Sequence, residues 1–151
     1  LWESSVSEQV FPYVRPQETG NKFESRWMAL ADESHQTGTL VLARDAPLSM
    51  TCRHIASEDL DCHPDSRRPR VRHAAALTEQ QCTFLSVDGA QAGVGGIDSW
   101  GSMPLAEHRL QAERSYRFGF ALVPFSADGS GASLGIRGAQ LAAQVGAAQG
   151  A

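Results

Sequence analysis

Lysine is almost missing from this chain of 151 residues: Lys22 is the only one among 13 basic residues. With 17 acidic residues the formal net charge is −4, so no overall basic field is present to attract nucleic acid or an anionic membrane. Long apolar runs are missing too. No stretch approaches the roughly 18 residues that a transmembrane helix needs. The opening Leu-Trp-Glu-Ser-Ser has no charged segment followed by an apolar one, as a secretory signal would. It also has no initiator methionine, so the expectation is a piece of a longer chain. Cysteines are few and odd in number (Cys52, Cys62 and Cys82), which excludes a dense disulfide framework. A single bridge such as Cys52 to Cys62 stays open, with reduced thiols the expectation.

What is present suits one domain: the hydrophobic fraction of 42% is enough for a single core. Residues 1–21 carry Pro12, Pro16 and Gly20 and are expected to run extended. Trp27, Ala29 and Ala31 alternate with Arg26, Met28, Leu30 and Asp32, a period of two that predicts a strand. Glu33 to Gly38 is polar and ends in glycine, a turn signal. Thr39 to Ala43 is β-prone, and Asp45-Ala-Pro47 breaks it. Leu48 to Ile55 alternates again, with Leu48, Met50, Cys52 and His54 on one side and Ser49, Thr51, Arg53 and Ile55 on the other. Ser57-Glu58-Asp59-Leu60 predicts one acidic helical turn opened by a serine cap. Strands are expected at Val71–Leu77 and Cys82–Val87. Gly93, Gly95, Gly96 and Gly101 make a glycine-rich loop around Asp98-Ser99-Trp100. Tyr116, Phe118, Phe120 and Leu122 face one way on a predicted half-buried strand over 115–123. After Pro124 the composition turns to glycine, alanine, serine and glutamine, with a weak alanine-rich helix over 134–149. Short strands separated by turns make an all-β chain, an antiparallel β-sandwich over 1–124 with a tail over 125–151, expected to be helical or partner-docking and not core.

Several residue groups invite a chemical reading. Cys52, His54, Cys62 and His63 are zinc-ligand types, but their spacing matches no common finger, and adjacent Cys62 and His63 would point to opposite faces of an extended chain. No metal site is therefore expected. Arg67 to His73 is a basic cluster, expected to be a solvated loop, with an acidic partner or phosphate as the sharper alternative. The glycine loop lacks the Lys-Ser/Thr of a phosphate cradle and ends at Trp100 instead of a helix start. From spacing alone Trp100 reads as a tryptophan packed in a loop corner. Trp27 is expected in the core, and Trp2 in the core or on a strand remnant. Glu58 and Asp59 read as helix-start charges, not as an acid/base pair.

Tyr13-Val-Arg-Pro-Gln-Glu-Thr-Gly-Asn-Lys-Phe-Glu-Ser-Arg-Trp27 resembles a signature of the family 2 β-galactosidases, at the start of their final β-sandwich domain. Two more matches follow in order. Ser57-Glu-Asp-Leu-Asp61 resembles a serine-proline-glutamate-aspartate-leucine turn. Phe84-Leu-Ser-Val-Asp-Gly-Ala-Gln-Ala-Gly-Val-Gly-Gly-Ile-Asp-Ser-Trp-Gly101 resembles a strand and glycine loop that usually ends Gly-Gly-Asp-Asp-Ser-Trp. Glu107 to Leu110 and Tyr116 to Phe120 fit the closing strands. The resemblance spans Glu8 to Pro124, and three ordered motifs are far more specific than one. This chain departs from the pattern at Ile97, where the family usually has the first aspartate, and in its tail.

The resemblance implies a galactose-mutarotase-like supersandwich and a role without catalysis. In the family the two catalytic carboxylates come from a separate TIM barrel, which this segment lacks; no catalytic residue and no cofactor are assigned here. Trp100 matches the tryptophan that forms an apolar platform beside the β-galactoside, where an indole face packs on the C–H face of a pyranose. Asp98 is carried over beside it as a second substrate-binding candidate, and with Ser99 it is expected to hold that loop by hydrogen bonds to backbone. Glu18 is read as structural, accepting backbone N–H groups in its proline-flanked turn. The expected partner is a catalytic TIM-barrel domain or a larger protein assembly. The alternative is a domain separated from its barrel and reused as a scaffold or binding subunit.

Overall fold

The computed structural model describes residues 2–11, 19–60, 77–93, 101–126 and 132–149. Six strands form two antiparallel three-stranded sheets. In chain order they are β1 (Lys22–Ser25), β2 (Trp27–Ala31), β3 (Thr37–Ala43), β4 (Leu48–Arg53), β5 (Phe84–Asp88) and β6 (Phe120–Ser126). One sheet has the order β1-β4-β5 and the other β2-β3-β6. Two helices, α1 (Ser57–Leu60) and α2 (Leu134–Gln149), and short 3-10 turns at Ser7–Gln9 and Ala106–His108 complete the described elements. The antiparallel β-sandwich is the architecture that the alternating runs predict.

The core lies between the sheets. Val41, Leu48 and Met50 are buried against one another, with Met28, Ala43 and Val87 packed around them. Register puts them there: Val41 pairs with Met28 and Leu122, and Met50 pairs with Val87, and directly opposed residues share a face. β4 is buried on both faces. Its outer residues Ser49, Thr51 and Arg53 are covered, in part by the Ser7–Gln9 turn, and Arg53 Nη2 donates to the Ser57 hydroxyl.

One residue, Arg26, separates β1 from β2, so the chain steps from the edge of one sheet to the edge of the other and closes that side of the sandwich. The step is made by a bulge: the β1–β4 register shifts between Lys22 and Ser25, and Glu24 adopts φ +53°. The β2–β3 turn is held by Asp32. Its carboxylate accepts from the Thr37 and Ser34 hydroxyls (2.7 and 2.8 Å) and from the Gln36 N–H at 2.9 Å.

Among the described residues the opposite side is open. β5 and β6 are the other two edges, and Phe118, just before β6, lies over Gly89, just after β5. Leu85, Phe120 and Leu122 face inward by register, yet Phe120 is 41% and Leu122 56% exposed.

Three expectations need correcting here. The strand predicted over 115–123 begins only at Phe120, because pairing with β3 starts at Ala43↔Phe120 and the chain before it diverges over Gly89. The more buried residues of β6 are Ala121, Val123 and Phe125, not the aromatic set: they lie on the side of the sheet where α2 packs on β2 and β3 and Arg137 stands over Phe125, while the inward face overhangs the open side. Pro124 does not end the strand: it sits in an edge strand, where one missing N–H is tolerated.

The helix predicted over 134–149 forms with those bounds. It packs on β2 and β3 through Gly135, Arg137 and Gly138, all buried. Arg137 donates Nη2 to the carbonyl of His35 in the β2–β3 turn, and its guanidinium lies 5.7 Å from the Phe125 ring centroid. Trp27 is half-buried under Gly138. Trp2, by contrast, is 61% exposed, with the Lys22 ammonium 4.5 Å from its ring centroid. It has no strand to join, because residues 2–6 form none.

Candidate functional site

Two of the motifs adjoin the sheet that contains β1, β4 and β5. The Tyr13–Trp27 signature runs through β1 and ends on the first residue of β2. The residues on either side of 12–18 are pinned together: Phe11 N–H donates to the Thr19 hydroxyl at 2.8 Å, and Thr19 is buried. Gly20 follows with φ +76°, and a Cβ there would stand 2.7 Å from the Gln9 carbonyl oxygen. Only glycine satisfies both the left-handed backbone and that approach. Lys22 Nζ donates to the Gly20 carbonyl at 2.7 Å and rests on Trp2, bracing the exit of the loop.

The second loop leaves β5. Gly93 N–H donates to the His108 carbonyl at 2.6 Å, tying the entry of the loop to the Ala106–His108 turn. Gly101 has φ +99°, and shortly after it the Pro104 carbonyl accepts from the Arg109 guanidinium.

A line of side chains joins the two stems. Thr51 donates its hydroxyl to Asn21 Oδ1 at 3.1 Å. Asn21 Nδ2 donates to Gln91 Oε1 at 3.3 Å, and Gln91 Nε2 donates to Asp88 Oδ2 at 3.5 Å. Asn21 stands two residues after Thr19, and Gln91 two residues before Gly93. The stems of the signature loop and the glycine loop therefore sit side by side. Neither amide was singled out from the sequence, and no periodicity marks them. The one available signal was that each lies within a quoted motif, next to its loop.

Trp100 and Asp98, the residues expected to meet sugar, lie outside the described residues, as do Ser99, Ile97 and Glu18. So do Cys62, His63 and the basic cluster over 67–73. Of the zinc-type residues that are described, Cys52 is a buried free thiol and His54 has Nδ1 at 3.0 Å from the Cys82 carbonyl oxygen. Among the described residues no group of three His, Cys, Asp or Glu side chains is gathered to hold a metal ion. Glu58 and Asp59 sit in the first turn of α1, as expected of helix-start charges.

Two titrating groups depart from their ordinary ranges, and both have structural causes. The Thr37 hydroxyl, then the Ser34 hydroxyl and the Gln36 N–H, hold the Asp32 carboxyl well below the usual carboxylate range. Burial pushes the Cys52 thiol up, against the opposing pull of Lys22 and Arg53. Asp32 is committed to its turn, and burial disfavours the Cys52 thiolate. What the described residues offer is two segments, each pinned by its own hydrogen bond and joined to the other through Asn21 and Gln91.

Residues 1–122 match the family described as beta galactosidase small chain. The chain belongs to that family. Among curated relatives of this small-chain domain, the β-galactosidase of Streptococcus thermophilus is 30% identical over 125 residues, 83% of this chain and 11% of that protein. The β-galactosidase of Priestia megaterium is 32% identical over 125 residues, 82% of this chain and again 11% of the relative. The β-galactosidase small subunit of Latilactobacillus sakei is 28% identical over 122 residues, 75% of this chain and 36% of that subunit. The chain thus spans about a tenth of the whole β-galactosidases it resembles and about a third of the separate small subunit. Both loop stems fall inside the small-chain match, whereas α2 lies beyond it.

Proposed function

We propose that this small-chain domain is a non-catalytic part of a family 2 β-galactosidase that lends a sugar platform to a catalytic TIM barrel. The observation that carries the reading is the joining of the two motif stems through Asn21 and Gln91. Stems fixed to one buried strand hold their loop tips in a reproducible place at little entropic cost. In this reading Trp100 packs its indole on the apolar face of a β-galactoside and Asp98 secures the loop. The acid/base and nucleophilic carboxylates, about 5 Å apart in a retaining mechanism, come from the barrel.

The open β5–β6 side supports the larger assembly. Phe120 and Leu122 face inward and stay exposed, and two strand edges stand unpaired among the described residues. Further strands of the β-galactosidase polypeptide would cover the apolar face and complete both sheets. A second reading, a scaffold or binding subunit without catalysis, is favoured by one observation: α2 lies outside the family match and closes the outer face of β2 and β3.

The test is Trp100→Ala in the intact β-galactosidase that carries this domain. A rise in KM for a β-galactoside of about tenfold is expected, near the ~1.4 kcal/mol that an aromatic contact supplies. An unchanged KM and kcat would sink the platform. Recovery of the native protein only as a species without a barrel would leave the scaffold reading.

A further inference from the structure

We propose that Asn21 and Gln91 are positioning residues: their amide–amide bond sets the glycine-loop stem against the signature-loop stem and so tunes the galactoside site. The inference rests on the proposed place of this domain beside a galactoside site, not on Trp100 being the platform.

The polarity of the line is determined from one end. The ionised carboxylate of Asp88 can only accept, so Gln91 must turn its NH2 toward Asp88 and its carbonyl toward Asn21. Asn21 must then present its own NH2 to Gln91, which leaves Oδ1 for the hydroxyl of Thr51. Each amide is used at both ends, and neither can flip without opposing two like groups. The anchor is rigid: Thr51 is fully buried in the central strand β4, and Asp88 pairs with Ser49 of the same strand. Both ends of the line are therefore held by one strand, and the two amides between them carry the two stems.

The neighbouring contacts do not perform this task. Phe11 and Thr19 close the signature loop on itself, and Gly93 and His108 tie the glycine loop to the Ala106–His108 turn. Among the described residues, the Asn21–Gln91 bond is the side-chain hydrogen bond that joins one stem to the other. Its removal leaves each loop closed and lets the stems shift relative to each other. A misplacement of about 1 Å far from the chemistry is enough to be read kinetically.

The experiment is a double-mutant cycle in the intact β-galactosidase carrying this domain, with Trp100→Ala alongside. Asn21→Ala and Gln91→Ala are each expected to raise KM for a β-galactoside about three- to tenfold while kcat stays within about twofold. The double variant should match a single one rather than multiply the two effects. Gln91→Met should raise KM as the alanine variants do, and so should Gln91→Glu, which keeps the acceptor for Asn21 but sets a second carboxylate against Asp88; Gln91→Glu with Asp88→Asn restores a donor between the two side chains and should bring KM back near that of the parent. A merely structural role would lower Tm in the alanine and methionine variants and leave KM unmoved, which overturns the inference. Three results separate it from the platform reading. If Trp100→Ala raises KM and the amide variants do not, positioning fails and the platform stands. If the amide variants raise KM with coupling and Trp100→Ala does not, positioning stands and the platform fails. If all are silent, both fall.

Discussion

Gly138 of α2 stands against the indole of Trp27 so closely that a Cβ there would come within 2.5 Å of Cζ3. The same helix places Arg137 over Phe125 and against the His35 carbonyl. Three contacts, one to each strand of its sheet or to the turn beside it, thus dock a helix of glycine, alanine and glutamine that has little intrinsic stability. Gly138→Val is expected to cost about 1–3 kcal/mol, because the indole is pressed between the helix and β2 and cannot retreat freely. Thermal melts followed by tryptophan fluorescence check this. An unchanged Tm and emission would mean that α2 does not rest on Trp27.

Much of this architecture was legible because the buried strands keep a strict period. Leu48, Met50 and Cys52 fall on one face of β4 and Ser49, Thr51 and Arg53 on the other, as the alternation requires. The same signal misleads where a strand lacks a partner. Tyr116 and Phe118 extend the alternation of β6, yet pairing with β3 begins only at Phe120. Periodicity reports which residues would share a face, not how far the ladder runs. The candidate site was legible as motifs but not as geometry. Asn21 and Gln91 are ordinary loop amides in the sequence, and they acquire meaning only when β4 brings their segments together.

The Asp32 turn gives a pH dependence with a definite sign. Its folded carboxyl sits below the unfolded value of about 3.9, so the stability it contributes is present above that value and lost as pH falls through the folded one. Asp32→Asn keeps an acceptor but removes the charge that the Thr37 and Ser34 hydroxyls stabilise. The variant is expected to be less stable than the parent at pH 7, with the difference shrinking toward pH 2. Urea unfolding at pH 7, 4 and 2 reads it out. A constant difference across that range would show that the carboxylate charge is not what holds the turn.

The open side of the sandwich makes the most demanding prediction. Leu40 is fully buried, and Leu40→Ala should cost the usual 2–5 kcal/mol for a large-to-small core change. Leu122 and Phe120 also face the protein on one side of a strand, yet 56% and 41% of their surface is exposed. Serine at both positions should therefore cost the isolated chain only about 1 kcal/mol, an amount close to that of a surface change. In the proposed β-galactosidase assembly the arithmetic reverses, because covering a phenylalanine and a leucine side chain contributes about 1.5–3 kcal/mol each. Sedimentation of the chain with the remaining polypeptide of the proposed assembly should show binding weakened by at least about a hundredfold for Phe120→Ser/Leu122→Ser. Equal binding by the double variant would move the assembly surface elsewhere, to the α2 face or the N-terminal segment. A large loss of stability in the isolated chain would instead mean that this side is already covered.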